Sequence, residues 1–186
     1  GTPAAGAGAG LTAAEATDVL IATARAGKAE PEQLAASLGR VLPLASELGV
    51  TFQDVGGSIA ALSLSGNDAA QASTLLTNVL SKILKPSKQG ADALADVGLS
   101  AEKLRGMIAD KGLLGTLQEL REKLGTSGFV KLFEDAQAVQ GVLALTGQNA
   151  DQVAKAFDEV NNSAGGTESA FATWADSMGA KNSKAF

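Results

Sequence analysis

Residues 81–104 read SKILKPSKQGADALADVGLSAEKL and set the pattern of helices and breaks that the whole chain follows. An apolar helix runs into Pro86. Because proline lacks an amide proton and disfavours helical geometry at the preceding residue, this helix is predicted to end near Lys85. A short helix then continues to Gly98, and Ser100 offers a side-chain oxygen to the unpaired amides of the following first turn. The stretch therefore predicts three helices separated by helix-breaking residues.

The same pattern extends over the rest of the chain. Ser, Thr, Asp and Asn residues that suit helix N-caps precede apolar stripes, as at Thr12, Thr51, Asp68 and Asn149. A helix starting at Pro31 carries its apolar side chains on one face: Leu34, Leu38, Val41, Leu42, Ala45 and Leu48. No segment alternates apolar and polar residues as a half-buried strand does. The sequence predicts an all-α, multi-helix bundle of eight to ten short helices with Gly-centred turns.

Several local expectations follow for the first half of the chain. Pro43 should kink or break its helix, because its ring meets the carbonyl of the preceding turn. Asp54 lies three residues after Thr51, as the acidic partner of a cap does. Gly56-Gly57 predicts close approach of another helix, and the helix Asp68–Lys85 should be the most buried.

In the second half, Gly112 should break a helix that begins at Ser100. Thr126-Ser127-Gly128 reads as a loop, and a continuous helix is expected from Phe129 to Thr146. A last helix should carry Phe171, Trp174 and Met178. Short Gly-turn-cap sequences at Gly49, Gly98 and Gly147 are spaced by 49 residues, which either a helical repeat or ordinary helix punctuation would produce.

Composition excludes several function classes. The 186 residues contain neither histidine nor cysteine, which removes the usual base of hydrolases, the commonest transition-metal ligand, disulfides and thiolate metal sites. A formal net charge of −5 gives no basic face for nucleic acid. No apolar run approaches the roughly 20 residues of a membrane span. We expect a protein that is not an enzyme, with no catalytic residue, metal site or cofactor and no sequence-specific nucleic-acid binding.

Composition also suggests three regions. Residues 1–11 are rich in Gly and Ala and lack the basic and apolar parts of a secretory signal, so they read as a linker in a piece of a longer chain. Residues 12–180 form the helical domain. Residues 181–186 are a small polar tail.

Three side-chain groupings suggest chemistry at first sight. Ser100 and Lys103 fit the S-x-x-K motif of penicillin-recognising enzymes, but the companion motifs are missing and Ser100 suits an N-cap. Acidic pairs on one helix face could act as glycosidase carboxylates, although solvated surface faces explain them as well: Asp92 with Asp96, and Glu119 with Glu122. Lysines around Pro86 could contact an anion, or could simply complement helix C-termini: Lys82, Lys85 and Lys88.

The order of phrases from the fourth helix onward resembles the core region of phage tail tape-measure proteins. The phrases are LTNVLSKILKPSK (76–88), ADALADVGLSAEKLRGMIADKGLLGTLQEL (91–120), FVKLFEDAQAVQGVLALTG (129–147) and NADQVAKAFDEVNNSAGGTESAFATWADSMG (149–179). The earlier stretch GKAEPEQLAASLGRVLPLASELGVTFQDV (27–55) is similar to the preceding part of that core, less distinctively. One departure is Glu134, where the family pattern has a glycine after the phenylalanine, which suggests a continuous helix there.

This resemblance implies a structural virion protein that sets tail length, occupies the tail tube and is released during genome delivery. It implies self-association and contacts with tail tube proteins, tail-tip or baseplate proteins and tail assembly chaperones. It places the protein in the virion tail, in the tube lumen or at the tip, and in the host cytoplasm during assembly. The alternative is a membrane-active helical module that assists DNA passage through transient contact with the host envelope.

Overall fold

The computed structural model describes residues 12–163. Over this range the chain forms eight α-helices and no strand, so the all-α prediction is confirmed. The helices are α1 (Ala13–Gly27), α2 (Pro31–Leu48), α3 (Phe52–Leu64), α4 (Ala69–Leu84), α5 (Lys88–Asp96), α6 (Ala101–Phe133), α7 (Ala136–Thr146) and α8 (Ala150–Asn161). The expected leader, the helix with Phe171, Trp174 and Met178, and the polar tail lie outside the described residues.

Side-chain caps place most helix starts where the sequence predicts them. The Thr12 hydroxyl accepts a hydrogen bond from the Glu15 amide and the Glu15 carboxylate accepts from the Thr12 amide, both at 3.1 Å, which is a complete capping box. Asp68 and Gln71 form a second box at the start of α4. Ser87 caps α5 and Ser100 caps α6. At α8, in contrast, the Asn149 side chain forms no cap bond.

Helix α3 lies at the centre of one half of the bundle, between α1 and α8. A Cβ atom on Gly56 would lie 2.4 Å from Thr23 Oγ1, and one on Gly57 would lie 2.9 Å from the ring of Phe157. The predicted close approach at these glycines is therefore confirmed. Nine of the 13 residues of α3 are buried, against eight of 16 in α4. The prediction that α4 is the most buried helix is wrong, because α4 keeps a solvent face while α3 is enclosed.

Helix α2 packs mainly on α4 and passes through Pro43 without a break. The sequence predicted a kink or a break at Pro43; the break is absent, and Pro43 and Gly39 both lie on the exposed side of the helix. The Gly39 carbonyl, which loses its helical donor to the proline, can therefore be hydrated. Five of the six predicted apolar side chains on this helix are buried, and Leu42 is half-buried.

Helix α6 consists of three segments separated by two glycines. Gly112 (φ 76°, ψ 177°) and Gly125 (φ 63°, ψ 178°) adopt a backbone conformation that is almost exclusive to glycine. The break at Gly112 is confirmed. The predicted loop at Thr126-Ser127-Gly128 is wrong, because these residues are helical and the bend lies one residue earlier, at Gly125.

The continuous helix expected from Phe129 to Thr146 is also wrong. Glu134 takes a positive φ of 51° and the Asp135 amide donates to the Phe133 carbonyl at 2.5 Å, a tight three-residue turn between α6 and α7. Asp135 then caps α7 by accepting from two amides. The Glu134 side chain pairs with Lys82 at 3.2 Å, which holds the turn against α4.

Two of the three turns spaced by 49 residues have the same structure. Gly49 and Gly98 both take a left-handed φ, 77° and 74°, and each is followed by a side-chain cap two residues later. Gly147 differs, with φ −89° and no side-chain cap at Asn149. Ordinary helix punctuation therefore explains this pattern better than a three-fold repeat.

Candidate functional site

Ser100 and Lys103 form hydrogen bonds at the start of α6 and are not arranged as a nucleophile and its base. The Ser100 hydroxyl accepts from the Lys103 amide at 3.2 Å, which is the cap bond. The Lys103 ammonium points back to the carbonyl of Gly98, at 2.9 Å. A lysine acting as the base would have to reach the serine oxygen, and here it is bonded elsewhere.

One member of each acidic pair, Asp92 and Glu119, takes part in a surface ion pair. Asp92 lies 3.7 Å from Lys88 across one helical turn, with both side chains largely exposed. The hydrogen bond from Lys111 lowers the pKa of Glu119, and Lys123, at 3.7 Å, acts in the same direction. A glycosidase acid needs a raised pKa, so Glu119 has the opposite electrostatic environment.

The lysines near Pro86 do not converge on one point. Lys82 pairs with Glu134 and Lys88 with Asp92. Hydrogen bonds from Ser87 and Lys82 lower the pKa of Glu134, which keeps that carboxylate ionised. Two of the three lysines are therefore neutralised by carboxylates, which leaves this surface poorly suited to an anion.

The aromatic side chains of the described residues form core contacts. Phe129 and Phe133 are almost fully buried, with ring centroids 5.0 Å apart in an edge-to-face arrangement. Phe157 packs against Gly57. Among residues 12–163 no three acidic side chains come together in a way that could hold a metal ion. In the same range, no helix is both long and apolar enough for a bilayer crossing.

Asp54 is a partly buried carboxylate whose hydrogen-bond partner the sequence did not predict. Its backbone amide completes the Thr51 cap at 3.1 Å, but its carboxylate does not return to Thr51. Instead, Asp54 Oδ2 accepts from the Leu113 amide at 2.9 Å, across the bundle and 59 residues away. Burial raises the pKa of Asp54, and the hydrogen bond from Leu113 partly opposes that shift. The sequence carried no signal for this contact, since the pairing depends on tertiary packing.

The groove between the α1–α2 and α3–α4 turns brings together no converging set of reactive groups among the described residues. It has a volume of about 320 Å³, with Lys28, Glu30, Asn67 and Asp68 on its wall. Asp68 is committed to its capping box and Asn67 donates to the Leu62 carbonyl at 3.0 Å. The groove therefore offers polar rims without a nucleophile and base at hydrogen-bonding distance.

Comparison with known proteins agrees with the resemblance predicted from the sequence. The family model for phage-related minor tail proteins matches residues 4–131. The tape measure protein of Pneumococcus phage Dp-1 is 27% identical over 180 residues, which cover 92% of this chain and 16% of that protein. This chain therefore spans about one sixth of that relative. No solved structure matches the chain significantly. Because the family model covers well over half of the sequence, the chain belongs to the phage-related minor tail protein family.

Proposed function

We propose that this chain is a folded domain of a tail tape-measure protein, which sets tail length, occupies the tail tube and is released during genome delivery. The observation that carries the proposal is the alignment over nearly the whole chain to a protein named as a tape measure. Family membership supports a structural component of the tail. The proposal includes the ruler activity, the place in the tube lumen or tip, and the stage of cytoplasmic assembly.

The physical basis of such a ruler is that helical length is proportional to residue number, at about 1.5 Å per residue. A ruler needs extended helices and contacts between helix faces, and no reaction chemistry. The described residues supply helices and ion-paired surfaces. We therefore assign the domain self-association and contacts with tube, tip or baseplate proteins and assembly chaperones, and no enzymatic activity.

Deletion of the domain from the parent gene tests this role. Removing residues 12–163 in frame deletes 152 residues, which as one straight helix would correspond to about 230 Å of length. Electron microscopy should show tails that are shorter by up to this amount, and by less if the domain stays bundled inside the tail. As a matched control, an unrelated helical domain with the same number of residues should restore part or all of the length. Normal tail length after the deletion, with intact assembly, would refute the ruler role.

The membrane-active module remains the alternative from the sequence, and no contact among the described residues favours it. Dye release from liposomes by the isolated chain at micromolar concentration is the measurement that would support it.

A further inference from the structure

Helix α6 changes its buried face at Gly112 and again at Gly125. With about 100° of rotation per residue, Leu104 and Ile108 would lie near 0° and 40° on a straight helix. On the same helix, Leu113, Leu117 and Leu120 would lie between about 160° and 220°, on the opposite side. All five side chains are nevertheless buried in the structure. The bend between residues 108 and 113 lets both stripes reach the core.

Gly112 makes this bend possible. Its φ of 76° is accessible to glycine and strained for other residues. The bend interrupts the helical amide ladder and starts a new helical segment at Leu113. The Thr116 hydroxyl donates back to the Gly112 carbonyl at 2.7 Å, within the first turn of this segment. We call the bend the Gly112 joint.

Asp54 supplies the hydrogen bond that the bend removes. In a straight α6 the Leu113 amide would donate to the carbonyl of Ala109, four residues earlier. In the bent helix it donates to Asp54 Oδ2, at 2.9 Å. The same oxygen lies 2.9 Å from the position of a Cβ on Gly112, so the carboxylate sits directly against the joint. On straightening, the Leu113 amide would thus exchange its hydrogen bond to Asp54 for one to the carbonyl of Ala109.

The second bend of α6 has no such contact. At Gly125 no atom of residues 12–163 comes within 4 Å of a Cβ position, and Gly125, Thr126 and Ser127 are exposed. The two joints share a backbone conformation and differ in the presence of a carboxylate from another helix. The asymmetry indicates that Asp54 has a specific role at Gly112.

We propose that Asp54 is a latch on the Gly112 joint, and that its release lets the segments on either side of Gly112 join into one straight helix. The latched state buries both leucine stripes in the bundle. The released state presents them on opposite faces of a helix of 24 residues, Ala101–Leu124, about 36 Å long. This inference is independent of the ruler role, because it concerns the isolated domain only.

The absence of cysteine allows a direct distance measurement. Glu102 and Glu122 are exposed, and neither takes part in an ion pair or side-chain hydrogen bond seen in the structure. Spin labels on cysteines at these two sites would be about 30 Å apart in backbone distance on a straight helix. We expect the wild type to populate shorter distances. Asp54→Ala should raise a component near 30 Å at least severalfold, and Asp54→Asn, which keeps an acceptor oxygen, should resemble the wild type.

Asp68→Ala is the matched control, because it removes an N-cap carboxylate from α4 and leaves the joint untouched. It should not change the distance distribution. An Asp54→Ala sample that folds and shows no component near 30 Å overturns the latch. If that variant does not fold, hydrogen exchange of the wild type decides. If Asp54 acts as a latch, the opening that exposes the Leu113 amide should cost less free energy than the opening that exposes the amides of Leu117 and Leu120. Exchange of all three only by global unfolding overturns it.

Discussion

Gly27 tests the close packing of α1 against α3 most sharply. A Cβ atom at this position would lie 2.8 Å from the Cα of Ala60 and 3.1 Å from its carbonyl oxygen. Both are backbone atoms, so no side chain can turn away and the helices must move apart. Overpacking of this kind costs about 1–3 kcal/mol. Replacing glycine with alanine in a helix stabilises the folded state by up to about 1 kcal/mol through helix propensity. Gly27→Ala should therefore lower the free energy of unfolding by about 1–2 kcal/mol.

Gly39→Ala makes the same chemical change at a helical position where a Cβ meets nothing within 4 Å. It should raise the free energy of unfolding by about 0.5–1 kcal/mol. For a chain of this size, about 1 kcal/mol corresponds to about 2–4 °C in Tm. Urea and thermal unfolding followed by circular dichroism would measure both variants. Equal stabilisation by the two substitutions would refute the packing of α1 on α3 described above.

Three further predictions concern Asp54, Glu134 and Phe133. Burial raises the pKa of Asp54 above its ordinary value of 3.8, so its contribution to stability is present at low pH and is lost as the pH rises through the folded-state pKa. In urea titrations, the free energy of unfolding of Asp54→Asn should thus rise relative to that of the wild type as the pH increases from about 4 towards 7. A difference between the two proteins that does not change with pH would contradict this. Glu134→Gly should raise the free energy of unfolding, because relief of positive-φ strain outweighs the loss of a partly exposed ion pair with Lys82. A less stable variant would show that the turn is unstrained. Phe133→Ala should lower the free energy of unfolding by about 3–5 kcal/mol, because this ring is fully buried. A loss below about 1 kcal/mol would place the ring outside the core.

The caps and apolar stripes were predictable because they depend on residues within one or two turns. Local chemistry accounts for the N-cap hydrogen bonds of Thr12 with Glu15, Asp68, Ser87 and Ser100. The family resemblance was readable for the same reason, since it follows the order of such signals along the chain. At Pro43 the helix does not break, because the cost of the missing hydrogen bond depends on exposure, which the sequence does not state.

The features that sequence reasoning missed depend on distant residues. Glu134 bends the chain at a residue type that rarely takes a positive φ, and its turn is held by Lys82, 52 positions away. Asp54 was expected to serve its own helix, yet its carboxylate binds Leu113, 59 positions away. The sequence did contain one unused signal: the apolar phase of α6 shifts by about half a turn at Gly112 and again at Gly125.

We expect this chain to be a folded helical part of a phage tail. Cryo-electron microscopy of assembled tails, made with the parent gene carrying a small tag after Ser163, would locate the domain directly. We predict tagged helical density inside the tail tube or at its tip, in every complete particle. Normal, complete tails that contain no copy of the tagged domain would contradict the account.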